Sequence, residues 1–420
     1  MRLQRARWRI RDRRQKVQAR YHGEKGGGRD EKGGRKTDYA GTAGTVCEMT
    51  AEIPGTMPEE TVPEETAAPE GKSGERKIMT AMSGGVDSSA AVFLLLEQGF
   101  DVGGMTMRLL EGNLSDRDVK DAEEAAKTAG IPFYVADLRE RFRREVIGAF
   151  IDSYLSGNTP NPCVLCNRRI KFSAFAEHAQ RYGYEKIATG HYAVSGYDGG
   201  SGRWLLKRSK DRKKDQSYML YGLSQDQLAK SVFPLGEMTK EEVRIFAADH
   251  HLTAAQRKES QDICFVPDGK YAEFIERETG RPLQPGCFVD ASGKVIGSHR
   301  GIARYTIGQR RGLGIAAGHP VFVCEKDAKR NIVRVGEEAL LFRKELDVSD
   351  INLIACSRFT GKIRAEVKIR YSHGGSPAVV EQTGENSLHI EFDEEQRAVT
   401  PGQSAVLYDG DTVIGGGVIV

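Results

Sequence analysis

Ser83-Gly84-Gly85-Val86-Asp87-Ser88-Ser89 is the stretch that decides how this chain folds. It stands between a short apolar run at 77–82 and a strongly apolar stretch at 90–96 that stops near Gly99. Strand, tight glycine loop, helix is the order that aims backbone N–H groups and a helix N-terminus at an anion. Gly84 and Gly85 let the backbone approach a phosphate closely, and Ser83, Ser88 and Ser89 add hydroxyl donors. Asp87 can cap the helix or hold a metal. The run lacks the Gly-Lys-Ser/Thr of a Walker loop, so it does not suggest lysine-assisted transfer of a γ-phosphate. A Ser/Gly-rich turn with no ligand is the plainer alternative.

The same grammar repeats outward. Residues 101–110 read as a strand, 116–129 as a helix ending at Gly130, and 131–138 as a strand again. Residues 139–156 form an amphipathic pattern with Phe142, Val146, Phe150 and Tyr154 four apart, and a helix near 172–182 leads to a strand at 186–189. Alternation of this kind predicts a parallel sheet covered on both faces, with ligands at the carboxyl ends of its strands. The loop at 83–89 is similar to the PP-loop signature SGGxDS of enzymes that cleave ATP between the α and β phosphates. From about residue 274 short runs alternate with Gly, Asn and Asp turns, and an Asp409-Gly410 turn joins the last two. The expectation is an α/β PP-loop domain of the adenine nucleotide α-hydrolase kind at 77–270, a small β-rich middle module at 271–342 and a C-terminal β-barrel at 343–420.

The 420 residues allow two or three domains and a sizeable core. No apolar stretch approaches the roughly 20 residues of a membrane helix. Residues 1–36 carry 14 Lys and Arg against 4 Asp and Glu, residues 37–70 none against 8, and the whole chain sums to +3. Binding to nucleic acid therefore has to come from local basic clusters. The tail 1–76 reads as disordered, with an over-extended start (Met49, Met57 or Met79 being the real one) favoured over an RNA-binding arm.

Seven cysteines, at 47, 163, 166, 264, 287, 324 and 356, argue for a reducing compartment in which some thiols do chemistry. Cys163 and Cys166 lie in Asn161-Pro162-Cys163-Val164-Leu165-Cys166-Asn167, where Pro160 and Pro162 predict a stiff extended loop just before a helix. Arg168, Arg169 and Lys171 follow, and a thiol near a helix N-terminus and positive charge is expected to have a lowered pKa. One CxxC alone leaves half a zinc site, a redox pair and two ordinary thiols open. Cys287, Cys324 and Cys356 sit among strand-like neighbours and read as buried structural thiols. Between 203 and 214 stand seven Lys and Arg, either a solvated loop or a phosphate-backbone track.

Several motifs together resemble one family. They are Ala81-Met82-Ser83-Gly84-Gly85-Val86-Asp87-Ser88-Ser89, Asn161-Pro162 with Cys166-Asn167, Ala188-Thr189-Gly190-His191-Tyr192 and Lys214-Asp215-Gln216. Gln261-Asp262-Ile263-Cys264-Phe265, Tyr305-Thr306-Ile307-Gly308-Gln309-Arg310-Arg311-Gly312-Leu313, Arg370-Tyr371 and Pro401-Gly402-Gln403 follow in order. The chain from about Lys77 to Val420 resembles the tRNA-specific 2-thiouridylases, which replace the 2-oxygen of the anticodon wobble uridine by sulfur. The resemblance implies ATP binding by Ala81, Met82, Ser83, Gly84, Gly85, Val86, Asp87, Ser88, Met107 and Gly190. It implies a persulfide on Cys264 and a partner nucleophile at Cys166. Asn161, Pro162 and Cys163 would face the target base, and His191, Lys214, Asp215, Gln216, Arg370, Tyr371 and Gln403 would touch tRNA. Mg²⁺ would accompany ATP with help from Asp87. A cysteine desulfurase or sulfur carrier would supply the sulfur, in the cytoplasm, with no membrane and no oligomer implied.

One position departs from the pattern. Cys163 is often Asp in this family, and its thiol makes three cysteines available, Cys163, Cys166 and Cys264, enough for a [4Fe-4S] cluster with one open iron. Two other readings compete. One is a PP-loop amidotransferase-type synthetase or argininosuccinate-type ligase, neither of which needs the cysteine pair. The other is a zinc- or cluster-bearing tRNA-binding protein with a vestigial nucleotide loop, against which the intact 83–89 run argues.

Overall fold

Lys77–Ala81 forms the central strand, β1, of a five-stranded parallel sheet in the computed structural model, which describes residues 76–250, 252, 263–316 and 318–420. The expectations for the tail and its start, for Cys47 and for Gln261-Asp262 lie outside the described residues. With β2 (Asp101–Arg108), β3 (Phe133–Asp137), β4 (Lys186–Ala188) and β7 (Ser231–Val232) the order is β3-β2-β1-β4-β7, every neighbouring pair parallel. Met79 on β1 and Met105 on β2 are fully buried, and each such side chain stabilises the sheet by about 1.5–3 kcal/mol. The apolar run after the glycine loop becomes the helix Val86–Glu97, and the next helix, Asn113–Ala129, stops at Gly130, whose left-handed backbone caps it.

The long amphipathic pattern is helical as expected, with a π-helical turn at Arg143–Ile147 between Arg139–Phe142 and Gly148–Leu155. The cysteine loop differs from its expectation. Pro162–Cys166 is a short helix, because Pro162 occupies the first turn, where a missing N–H costs nothing. A π-helical segment, Asn167–Ala174, and the helix Phe175–Arg181 continue it.

The basic run also differs. Val194–Asp198 and Arg203–Lys207 form an antiparallel hairpin, β5 and β6, and β6 meets the barrel through Lys207 opposite Thr412. Four of its seven cations are spent inside the molecule. Arg203 donates to the carbonyls of Leu353 and Ile354, Arg208 pairs with Glu366, Lys210 with Glu242 and Arg212 with Asp411.

The middle module carries the helix Tyr271–Thr279 and a four-stranded sheet of β8 (Gly286–Val289), β9 (Val295–His299), β10 (Phe322–Asp327) and β11 (Ile332–Gly336). Its core gathers Phe288, Ile302, Tyr305, Leu313, Val323, Val333 and Val335. Cys324 is buried as expected, but Cys287 is exposed: alternation along β8 turns Phe288 inward and its neighbour out. The last module is a closed antiparallel barrel. Its strands are β12 (Phe342–Leu353), β13 (Ile363–Lys368), β14 (Ser376–Gly384), β15 (Ser387–Arg397), β16 (Ser404–Asp409) and β17 (Thr412–Ile419). Their order is β12-β15-β14-β13-β16-β17, and pairing of β12 with β17, Val348 opposite Ile419, leaves no free edge. Among the described residues no helix is long and apolar enough to cross a membrane.

Candidate active site

Three loops meet at the carboxyl ends of β2, β1 and β4. The 83–89 loop follows β1, Met107 lies at the end of β2, and Gly190 follows β4. Gly84 has φ +70°, the left-handed turn that lets the chain double back before the helix. Ser88 Oγ accepts from the Ser83 N–H at 3.2 Å and donates to the Gly85 carbonyl at 3.0 Å. Ser89 Oγ donates to the same carbonyl at 3.1 Å. Gly190 packs so closely that a Cβ there would lie 3.0 Å from the backbone C of Asp87 and N of Ser88.

Asp87 does not cap its helix. The N-cap is Gly85, and the Asp87 carboxylate accepts instead from Lys240 Nζ at 2.7 Å to each oxygen and from Tyr192 Oη at 2.8 Å. Gln216 Oε1 accepts the Tyr192 N–H at 2.9 Å, and the Gln216 N–H returns to the Tyr192 carbonyl at 2.8 Å. Asp215 is buried and accepts from the Ser209 N–H at 2.9 Å and from Ser217 Oγ at 2.7 Å. Lys214, Asp215 and Gln216 therefore form a loop whose last two side chains face inward.

The thiols lie beside this edge. Lys171 Nζ is 3.5 Å from His191 Nε2, and His191 Nδ1 is 2.8 Å from Thr189 Oγ1. His191 is buried against Phe172 and Phe233, and burial, reinforced by Lys171, holds its pKa well below the ordinary imidazole value. It is neutral at pH 7. Lys171 and the other two cysteines are the charges that Cys166 feels, and Cys163 and Lys171 are the charges that Cys264 feels.

Burial overturns the expected thiol acidity. Cys166 closes the C-terminal end of its helix and is 8% exposed, so desolvation pushes its thiol up to about 12 against the opposing pull of Lys171. Cys264 is exposed as a residue, yet loss of water around its sulfur, then Cys163, raises its pKa too. At pH 8, iodoacetamide should modify Cys166 at least about tenfold more slowly than exposed Cys163, with a rate still climbing at pH 10. Peptide mapping reads this, and a plateau for Cys166 below pH 8 would contradict it.

The Asn161 loop is docked on the barrel. Gln403 Nε2 donates to the Thr159 carbonyl at 2.9 Å, and the Thr159 N–H to the Pro401 carbonyl at 2.9 Å. Asn161 Nδ2 reaches Met219 Sδ at 3.4 Å, and Asn167 Nδ2 the Met219 carbonyl at 2.9 Å. A cavity of about 320 Å³ opens between Thr159, Thr306, Gly308, Arg370, Arg397 and Gln403. Tyr371 is 40% exposed nearby, its ring 6.1 Å from that of Tyr218.

Lys171, Tyr192 and Lys240 were not singled out as site residues by their sequence context. For Lys240 a signal exists: Thr239 and Glu242 form a capping box, which marks a helix start with a lysine at its first position.

Comparison with known proteins then decides the lineage. Residues 76–268 match the tRNA methyl transferase HUP domain, 272–337 its PRC-barrel domain, and 343–419 the aminomethyltransferase beta-barrel domain. The tRNA-specific 2-thiouridylase MnmA of Clostridioides difficile is 46% identical over 353 residues, covering 82% of this chain and 98% of that protein. That of Moorella thermoacetica is 47% identical over 351 residues, 81% of this chain and 98% of the relative. The chain belongs to the tRNA-specific 2-thiouridylase family. As a member of this PP-loop family it is an ATP-binding protein, and the three-module order is that of the family domains.

Proposed function

We infer that this chain is an ATP-dependent tRNA-uridine 2-sulfurtransferase that replaces the C2 oxygen of the anticodon wobble uridine by sulfur. The observation that carries the reading is the meeting of two reactive sets at one sheet edge. Gly190 packs on the phosphate loop, and His191 beside it reaches Lys171, whose charge both Cys166 and Cys264 feel. The uridine carbonyl oxygen is a poor leaving group; its attack on the α-phosphate expels pyrophosphate and makes it a good one. The terminal sulfur of a Cys264 persulfide then bonds to C2, and AMP leaves with the C–O electron pair. Attack of Cys166 on the Cys264 sulfur breaks the S–S bond, leaves sulfur on C2 and closes a Cys166–Cys264 disulfide. A dithiol reductant reopens it, and a desulfurase or sulfur carrier reloads Cys264.

In this reading residues 77–270 bind ATP and hold the thiols, while 271–342 and 343–420 help to hold tRNA in the cytoplasm. Asn161, Pro162 and Cys163 face the base. Arg370, Tyr371 and Gln403 serve the RNA at the cavity rim, with Lys214 on its own loop. His191, Asp215 and Gln216 act from beneath, fixing the loops by the bonds described above. Mg²⁺ enters on the triphosphate as part of the substrate. Among the described residues no group of three His, Cys, Asp or Glu side chains converges as a metal site requires. The reaction drawn here needs only the thiols of Cys166 and Cys264 and is routed through no iron–sulfur cluster.

Purified protein given tRNA, ATP and a persulfide donor should release AMP and pyrophosphate and form 2-thiouridine in the tRNA. Pyrophosphate release without tRNA stimulation, or thiolation independent of ATP, would overturn the reading.

A further inference from the structure

Lys240 occupies a place that its own helix does not favour. It is the first residue of Lys240–Asp249, where the helix dipole opposes a cation, and only 7% of its surface is exposed. Helix formation needs no lysine there, because the Thr239–Glu242 capping box already satisfies the N-terminus and the Lys240 N–H is taken by Asp211 at 2.9 Å. The side chain crosses to the phosphate loop, where Nζ bonds both oxygens of Asp87 at 2.7 Å and lies 5.8 Å from the centre of the Tyr192 ring. The Asp87 side chain is 31% exposed, so this pair opens toward solvent on the loop side.

The loop itself is short of charge. Residues 83–89 contain no Lys or Arg, and their serine hydroxyls and N–H groups are neutral donors. Adenylation concentrates negative charge on departing pyrophosphate, and a preorganised buried cation stabilises such charge far more than a solvated one. We propose that Lys240 is a catalytic residue of the adenylation step, trading an Asp87 oxygen for a β- or γ-phosphate oxygen when ATP binds. This rests on the ATP-dependent reading above. As the uridine oxygen bonds to the α-phosphorus, the bridging oxygen leaves with its electron pair on pyrophosphate. Lys240 stays protonated throughout and offsets that charge. A lysine from a distant helix thus does what the absent Walker lysine would do.

The test is nucleotide selectivity, measured by calorimetry on the full chain with Mg²⁺ present. Lys240→Met should weaken ATP and free pyrophosphate by at least about tenfold, roughly 1.4 kcal/mol, and AMP by less than about twofold. Lys240→Arg should keep ATP within about threefold, because the charge remains. Removing one partner of a half-buried pair can unfold a protein, so Asp87→Asn and Asp87→Asn with Lys240→Met form a second comparison with no orphaned carboxylate. Within it the lysine alone should again cost ATP, not AMP. Parallel loss of ATP and AMP, or no loss of either, overturns the proposal and leaves Lys240 a structural clasp. Wild-type protein that binds no ATP overturns the ATP reading itself, a different result from any the variants give.

Discussion

Cys264→Ser and Cys166→Ser are each expected to lower sulfur transfer by at least about a thousandfold, roughly 4 kcal/mol of transition-state stabilisation. Neither change should alter ATP binding, because neither thiol belongs to the 83–89 loop. Serine cannot carry a persulfide, so Cys264→Ser loses the sulfur itself. Cys166→Ser keeps the persulfide but has no second thiol to break the S–S bond, and sulfur remains tethered to Cys264. Mass spectrometry of digested tRNA reads 2-thiouridine, and pyrophosphate release reads adenylation, so the two half-reactions separate. Cys163→Ser is the control. Its thiol is exposed, and the two-thiol route predicts activity within about tenfold of wild type. Wild-type thiolation by Cys264→Ser would overturn the persulfide assignment and make Cys163 the next carrier to test.

The raised acidity constant of Cys166 sets the pH dependence of that route. A thiol whose pKa burial raises to about 12 in the folded protein is protonated at pH 7, and the cost of ionising it falls by about 1.4 kcal/mol for each unit that the pH rises toward that value. The resolving step should therefore accelerate with pH from about 7 to about 10, and a flat rate over that range would contradict it. The sequence could not show this. Arg168, Arg169 and Lys171 are visible as positive neighbours, whereas the burial that outweighs them comes from the place of Cys166 in the largest hydrophobic cluster, which also takes in Ile170, Phe172 and Phe175.

Other differences have the same origin. The parallel sheet was legible because each strand, helix and glycine stop follows the next along the chain, and the phosphate loop because its residue types are tied to one geometry. The cysteine segment was misread as extended although Pro162 fits a helix start as well as it fits a loop. The hairpin at β5 and β6 was hidden by its charge: Arg203, Arg208, Lys210 and Arg212 look solvated until their partners, up to 199 residues away, fold beside them. Barrel closure likewise depends on Val348 meeting Ile419, a pairing that no local pattern encodes. Lys240 joins Asp87 across 153 residues, and only the assembled sheet edge shows what that lysine is near.

Gly84→Val should abolish the ATP-dependent half-reaction while leaving the fold standing. Gly84 has φ +70°, a conformation that costs a side-chain-bearing residue about 1–2 kcal/mol and a β-branched one more. Space is short as well. A Cβ at this position would lie 2.8 Å from Asp121 Cβ, 3.2 Å from the Asp118 carbonyl oxygen and 3.3 Å from the Ala122 nitrogen, two of them backbone atoms of a regular helix. The helix Asn113–Ala129 is anchored by Ala122 and Ala126, both fully buried, so the loop yields rather than the helix. Displacing the loop moves Ser83 and Ser88 off their mutual bonds and carries Asp87 away from Lys240 and Tyr192. A shift of about 1 Å in a positioning loop is enough to cost 10²-fold in rate, so tRNA-stimulated pyrophosphate release should fall by at least about a hundredfold. The loop lies at the end of the sheet and places only Val86 in a hydrophobic cluster, so the melting temperature should fall by about 2–4 °C for each kcal/mol lost. Cys264→Ser gives the opposite pattern, with adenylation intact and thiolation lost. Should Gly84→Val release pyrophosphate at the wild-type rate, ATP is cleaved somewhere other than the 83–89 loop.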